Sequence, residues 1–170
     1  MALIPRHPGN QDTMHRHDEN SGTMEPGAIV RLTSDGKLAP CTASGHVPYA
    51  ISFQRVGTDA PGVPANFKFP NQEGSSDASL GDAILVYKDG GTYHTELYNI
   101  TSTTGIAAGT LLYCQTDDPA ENAKLVDDDG STVDVAQDEA GNPKACARVI
   151  DPLSAEDVTA GKQLLIDLLL

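Results

Sequence analysis

The most constraining feature of the sequence is the stretch MEPGAIVRLTSDGKLAPCTASGHVPYAISF, residues 24–53. Apolar and polar residues alternate along it, as they do in a β-strand with one buried face. The pair Asp35-Gly36 lies between two such runs. Asp-Gly supplies the positive φ angles that a tight hairpin turn requires. The stretch therefore predicts a hairpin followed, after a loop, by a third strand.

The rest of the chain repeats this pattern. With 170 residues it is long enough for one domain with its own core. Sixteen Gly and 11 Pro separate short aliphatic clusters, each as long as a strand and too short for a helix. The segment 88–91, Lys-Asp-Gly-Gly, indicates a second reverse turn, and Ser154 indicates the N-cap of a single helical turn. We therefore predict an all-β domain.

An imperfect internal repeat supports a barrel or sandwich built from two related halves. Both copies have the order strand, turn, strand, loop, strand. The matched segments are residues 27–32 with 109–114, residues 37–38 with 124–125, and residues 48–52 with 143–147.

Residues 1–23 differ from the rest, because after Ile4 they contain few residues that could be buried. Such a segment cannot offset the entropy of its own ordering. We predict an extended, flexible N-terminal arm (residues 1–23) that becomes ordered on a partner, and a β-rich body (residues 24–170). Deleting the arm is expected to leave folding intact.

The charge of the chain restricts its partners. The net charge is −13, which disfavours nucleic acid and anionic membranes. The carboxylates concentrate in residues 115–139, where the alternatives are a cation site or docking face and a solvated loop, the commoner case. Asp127, Asp128 and Asp129 suggest a calcium loop, but the Gly and Glu positions of an EF-hand are not matched.

Catalytic and metal-binding patterns are weak. Ser34 and Lys37 have the spacing of a nucleophilic pair, but Asp-Gly between them favours a turn. His15 and His17 are the densest potential metal ligands, in a segment predicted to be flexible. His46 is isolated in the sequence, as is His94. We therefore predict no enzymatic activity, no cofactor and no metal.

The cysteines and the N-terminus indicate the compartment. Three Cys and no CxxC pair favour buried thiols in a reducing cytoplasm over a disulfide framework. The first residues lack the apolar run of a signal peptide, and no apolar run is long enough to span a membrane.

The segment PGAIVRLTSDGKLAPCTASGHVPYAISF resembles the core of tailed-phage head decoration proteins, also called capsid cement or stabilisation proteins. In that family an arm precedes a strand, a turn of the Asp-Gly type, a Lys-Leu strand and a third strand, whose glycine is absent here. The C-terminal half is similar to related phage structural proteins through AGTLLY, an acidic loop, ACARVI and LLIDLLL. The resemblance covers residues 24–170, with longer loops at residues 58–79 and 115–142.

The resemblance implies a small β-barrel or β-tulip-like domain that binds the outer surface of the expanded phage capsid. Such a protein is made in the host cytoplasm, forms a homotrimer and cements neighbouring subunits of the major capsid protein. On this interpretation the arm contacts the capsid and two aromatic residues of a polar loop contact other copies. The expected contacts are Leu3, Ile4, Pro5, Arg6, His15 and Arg16 for the capsid, and Phe67 and Phe69 for the oligomer.

Two other functions remain open at this point. One is a receptor- or carbohydrate-binding module of a phage fibre or spike, which predicts an exposed aromatic pocket. The absence of Trp and an aromatic content of 5% count against it. The other is a small hydrolase in which His46 or His94 meets a carboxylate in the folded chain.

Overall fold

The structure is a computed structural model that describes residues 3–57, 77–117 and 123–170. It is nearly all β, which confirms the predicted fold class. The strands are β1 (Leu3–Asp12), β2 (Ile29–Leu32), β3 (Leu38–Pro40), β4 (Ala50–Ser52), β5 (Arg55–Gly57), β6 (Asp77–Ser79), β7 (Val86–Thr95), β8 (Tyr98–Asn99), β9 (Gly105–Ile106), β10 (Leu111–Cys114), β11 (Leu125–Val126), β12 (Ala145–Val149), β13 (Leu153–Ser154) and β14 (Leu164–Leu168). One short helix, α1 (Ala155–Thr159), follows β13.

Ten of these strands form one sheet that curls into a half-barrel. Nine follow the order β3-β2-β4-β7-β14-β12-β10-β11-β8, and β1 pairs with β7. Two smaller pairings, β5 with β6 and β9 with β13, lie outside this sheet. The barrel-like architecture agrees with the predicted small β-barrel.

Two predicted local elements are confirmed. Gly36 has φ +72°, and its N–H donates to Thr33 O (3.0 Å), so residues 33–37 form the β2–β3 turn. Helix α1 begins after Ser154, whose hydroxyl accepts from Asp157 N–H (3.2 Å), in a capping box. Both signals are local, which is why the sequence showed them.

The predicted turn at residues 88–91 is wrong, because β7 runs through it without reversing. Asp89, Gly90 and Gly91 do have positive φ angles, as a turn sequence would. They kink the strand, and β1 runs antiparallel along both sides of the kink. A Cβ on Gly9 would lie 2.1 Å from Gly90 O, so the two backbones approach as closely as only glycine permits.

The core is aliphatic with two buried tyrosines. Tyr87 and Tyr93 lie on β7 with ring centroids 5.1 Å apart. Burial raises the pKa of Tyr87 to about 12, and the neighbouring Tyr93 adds to the effect. Among the described residues, the aromatic pair with the shortest distance between ring centroids therefore lies on β7.

The N-terminal segment differs from the predicted free arm. Leu3, His17 and Met24 are buried in the body. Leu38 N–H donates to Arg16 O (2.7 Å), which ties residue 16 to β3. The segment has few apolar residues to bury, but its backbone hydrogen bonds to β7 and β3 compensate for the small buried area. Residues 3–23 therefore lie against the body, so we expect their deletion to destabilise the fold instead of leaving it intact.

The internal repeat is present in the backbone hydrogen bonds. We call residues 3–57 with residues 84–87 the first repeat, and residues 84–168 the second repeat. The central strand β2 pairs with β3 and β4, as β10 pairs with β11 and β12. The matched bonds, from N–H to O, are Gly27–Ser52 (2.7 Å) with Gly109–Val149 (2.8 Å), Ser52–Ala28 (2.8 Å) with Val149–Thr110 (2.9 Å), Thr33–Lys37 (2.8 Å) with Gln115–Lys124 (3.0 Å), Leu38–Arg16 (2.7 Å) with Leu125–Leu97 (3.4 Å), and Phe53–Leu85 (3.0 Å) with Ile150–Leu165 (2.9 Å).

These bonds correct the sequence alignment of the repeats. They confirm the match of residues 27–32 with 109–114 and of residues 37–38 with 124–125. In the third strand they match Ser52 with Val149, two residues from the match made on sequence. A register shift between Leu112 and Tyr113 on β10 accompanies this offset. Strand β7 belongs to both repeats, because it ends the first and begins the second.

Candidate functional site

The N-terminal segment, residues 3–24, carries the predicted contact residues, and the structure places them differently. Leu3 is buried, so its side chain packs on the body instead of standing free for a capsid contact. Ile4 is 40% exposed, and Arg6 and Arg16 are exposed. Pro5 and His15 are half-buried. The proposed loop contacts, Phe67 and Phe69, lie outside the described residues.

A cluster that the sequence did not reveal anchors this segment to the body. We call it the Asp12 cluster: Asp12, His15, Tyr49 and Lys88. The Asp12 carboxylate is 8% exposed and accepts from Met14 N–H (2.9 Å) and from the Tyr49 hydroxyl (2.9 Å). Lys88 Nζ lies 3.3 Å from Asp12 Oδ2 and donates to Tyr49 Oη (2.8 Å).

His15 completes the Asp12 cluster. Its Nε2 lies 3.4 Å from Asp12 Oδ2, and its Nδ1–H donates to Gly36 O (2.8 Å). The ring therefore links the end of β1 to the β2–β3 turn. The cluster joins residues that are far apart in sequence, and no local spacing could have indicated it.

The electrostatics of the Asp12 cluster favour a structural role. Burial raises the pKa of Asp12, but hydrogen bonds from Met14, Tyr49 and Lys88 outweigh burial and lower the pKa below its ordinary value. The hydrogen bond to Tyr49 raises the pKa of Lys88, and Asp12 adds to the effect. At neutral pH the carboxylate is ionised and the amine is protonated, so neither is poised to accept or lose a proton.

His17 is the most enclosed polar group of the segment. It is fully buried, and its Nδ1 has no hydrogen-bond partner. The Ser21 hydroxyl donates to Asp18 O (2.7 Å), which leaves its oxygen to accept from His17 Nε2 (3.3 Å). Burial lowers the pKa of His17, because the protonated ring would be enclosed with no acceptor for a proton on Nδ1. The charge of Asp18 partly offsets this effect.

The two histidines do not form a metal site together. His15 reaches outward to Gly36, whereas His17 is enclosed in the body. Across residues 3–57, 77–117 and 123–170, no cluster of three or more His, Cys, Asp or Glu side chains has an arrangement that could hold a metal ion.

The acidic region uses its carboxylates to form turns. Asp128 accepts from the N–H groups of Gly130 (2.9 Å) and Thr132 (3.1 Å). Burial raises the pKa of Asp128, but the bonds from Thr132 and neighbouring N–H groups hold it well below its usual range. Asp127 accepts from Thr101 N–H (2.7 Å) and so ties this loop to the chain after β8. Two of the three carboxylates that suggested a calcium loop, Asp127 and Asp128, thus serve as internal acceptors.

The hydrolase hypothesis required a histidine beside a carboxylate. His46 Nδ1 accepts from Thr42 N–H (3.1 Å) within its own loop. His94 lies on β7, where burial and the Arg6 charge lower its pKa and Asp151 partly offsets them. In the described part of the chain, no hydrogen bond joins either imidazole to a carboxylate.

The three thiols belong to the core. Cys41, Cys114 and Cys146 are free and buried. Burial raises the pKa of Cys114, and the neighbouring Cys41 raises it further. Burial also raises the pKa of Cys146. A thiol that stays protonated and enclosed is a poor nucleophile.

A scan against models of protein families found no match, and a search of curated proteins found none either. Within the described ranges no helix has the length and apolarity needed to cross a membrane. Among the residues predicted to contact a partner, Ile4, Arg6 and Arg16 are exposed in the described part of the chain.

Proposed function

We propose that this chain is a structural protein of a tailed-phage virion. It binds the outer surface of the expanded capsid and cements neighbouring subunits of the major capsid protein. The proposed role is non-enzymatic and needs no cofactor. The homotrimer implied by the sequence resemblance stays a prediction for the capsid-bound protein, separate from the state of the chain in solution.

The observation that carries the proposal is the surface of the N-terminal segment. In a chain with a net charge of −13, it exposes Arg6 and Arg16 beside Ile4 and Met14. Apolar groups flanked by arginines are enriched at protein interfaces. The Asp12 cluster holds this surface on the body, so little ordering entropy remains to oppose binding.

The proposed mechanism is linkage. A protein that binds only the expanded shell stabilises that shell by mass action. Many copies on one particle make a modest affinity per site sufficient. The acidic remainder of the surface would keep the decorated particle soluble.

The test uses expanded and unexpanded capsids of the phage that carries this gene, stripped of the native protein. We expect the full chain to saturate expanded capsids and to bind unexpanded ones weakly in a sedimentation assay. The double variant Arg6→Glu with Arg16→Glu should weaken binding by roughly tenfold or more. Lys162→Glu, an exposed charge reversal beyond α1, is the matched control and should bind normally.

Deletion of the segment is unsuitable, because residues 3–24 take part in the fold. Thermal unfolding of each variant will show that the charge reversals leave the body intact. Equal binding by the double variant and the native chain would refute the N-terminal surface as the contact. Absence of binding to expanded capsids, together with selective binding to a glycan array, would replace the proposal with the receptor-binding alternative.

A further inference from the structure

The two repeats place β1 and the C-terminal half of β7 in equivalent positions. Each of these strands lies beside the last strand of its own repeat. Asp12 lies opposite Val86 in the first repeat as Tyr93 lies opposite Ile166 in the second. In the same way, Gln11 lies opposite Tyr87 as Thr92 lies opposite Asp167. Continuing this alignment by two residues matches Met14 with Thr95.

The far edges of these two strands differ. In the second repeat, the far edge of β7 is covered by β1, with Leu3 opposite Thr95. In the first repeat, no strand of the described residues covers the corresponding far edge of β1. Thr95 is fully buried, whereas Met14 is 89% exposed. The first repeat thus lacks the strand that completes the second.

We propose that a second copy of this chain supplies the missing strand, its β1 pairing antiparallel with the β1 edge of the first. The ladder between β1 and β7 already shows two equivalent strands pairing in this way. Replacing β7 by its equivalent gives a contact between two β1 strands related by a two-fold axis. Each copy then covers the Met14 of the other with its Leu3 strand end.

The expected register follows from the same equivalence. It brings Leu3 of one copy opposite Met14 of the second copy. Toward the two-fold axis it pairs Ile4 with Thr13 and Pro5 with Asp12 and, after the same bulge at Arg6 that β1 has against β7, His7 with Gln11. No like charges are directly opposed, which such a ladder requires.

The local charge of β1 permits this contact. Two bodies of net charge −13 repel each other, and the repulsion is smaller where the local charge is low. Within β1, Arg6 opposes the charge of Asp12, which also pairs with Lys88. The formal charges of the strand therefore balance.

The contact is expected to be reversible. Pro5 and Pro8 each lack an N–H, and prolines and bulges in an edge strand limit pairing. A single strand ladder buries less than the roughly 800 Å² per partner of a standard stable interface. The dimer should therefore form as the protein concentration rises.

The first experiment is sedimentation velocity of the full chain over a wide concentration series. We expect a shift from 17.9 kDa toward twice that mass. Met14→Asp should raise the midpoint concentration by roughly tenfold or more, because it buries a charge at the contact. Leu111→Asp, an exposed apolar position on β10, is the matched control and should dimerise normally. A monomer at every concentration, a trimer, or unchanged dimerisation of Met14→Asp would overturn the proposal.

A second experiment traps the register. The double variant Ile4→Cys with Thr13→Cys is treated with oxidised glutathione, which accepts the electrons as each pair of thiols becomes a disulfide. We expect a covalent dimer on a non-reducing gel, and none from the native chain or from either single variant. A double variant that stays monomeric would refute this register. Both experiments need no capsid, so they can fail or succeed independently of the proposed function.

Discussion

The first and second repeats share a backbone scaffold and differ at their margins. Five pairs of hydrogen bonds match between them, and the strand order is the same. The short loop that leads to β14 carries α1 in the second repeat, whereas the first repeat has a longer connection between β5 and β7. The second repeat has its outer edge covered by β1, whereas no strand among residues 3–57, 77–117 and 123–170 covers the outer edge of the first. Backbone pairing and burial therefore keep the shared strands alike in both repeats, whereas the loops and outer edges differ.

The largest expected effect is the loss of stability on deleting β1, the strand that covers the outer edge of the second repeat. Deleting residues 3–12 removes β1 from the whole length of β7 and exposes the pocket of Leu3. We expect the free energy of unfolding to fall by several kcal/mol, a large part of the roughly 5–15 kcal/mol typical of a domain. Urea unfolding followed by circular dichroism measures it. A truncated chain as stable as the full chain would restore the free-arm interpretation.

A matched pair of core truncations tests whether the repeats unfold together. Leu38 on β3 and Leu125 on β11 are equivalent, and both are fully buried. We expect Leu38→Ala and Leu125→Ala each to cost about 2–5 kcal/mol. Both variants should keep a single transition, because β7 is shared. Two separate transitions in either variant would mean that the repeats are independent units.

A second matched pair separates backbone strain from crowding. Gly27 and Gly109 are equivalent and have φ angles of +92° and +86°. A Cβ on Gly27 would lie 2.9 Å from Thr95 Oγ1, whereas none of the described atoms lies within 4 Å of a Cβ on Gly109. We expect Gly109→Ala to cost about 1–2 kcal/mol from the backbone alone, and Gly27→Ala to cost more. Thermal unfolding compares them, and equal costs would contradict the crowding.

The smallest expected effect is the part of the pH dependence of stability that His17 contributes in the first repeat. His17 has a folded-state pKa below its unfolded value, so its neutral form is the one the fold accepts. Its contribution to stability is present above the unfolded pKa, about 6.5, and is lost as the pH falls through the folded pKa. The equivalent position in the second repeat is Tyr98, which is neutral throughout this range.

The measurement is the urea midpoint at pH 7.5 and pH 5.5. We expect the native chain to lose stability at the lower pH, and His17→Gln to lose less. The control is His7→Gln, which changes an exposed histidine of β1. A native chain and a His17→Gln variant with the same pH dependence would show that the buried imidazole is not responsible.

The sequence predicted the elements whose signals are local. The turn at Asp35-Gly36 and the capping box at Ser154 each depend on residues within a few positions, and both are confirmed. The repeat was visible because both halves have the order strand, turn, strand, loop, strand. Its third strand was misaligned by two residues, because a shift of register leaves the alternating pattern almost unchanged.

The sequence could not predict what depends on distant partners. The Lys-Asp-Gly-Gly segment has the composition of a turn, but β1 holds β7 extended across it. The Asp12 cluster joins β1, Tyr49 just before β4, and β7, so no spacing along the chain indicates it. The N-terminal segment looked unable to fold because its apolar content is low, and only pairing with an existing strand changes that balance.

Alternation, turn residues and caps act over short distances, so the amino-acid order alone indicates a β-domain of two related halves. The shared strand β7, the place of residues 3–24 in the fold and the exposure of Met14 follow from contacts between distant residues. Backbone pairing satisfies donors and acceptors between strands whatever their side chains, so side-chain pattern does not encode these contacts. Which strands meet is therefore set by the whole fold.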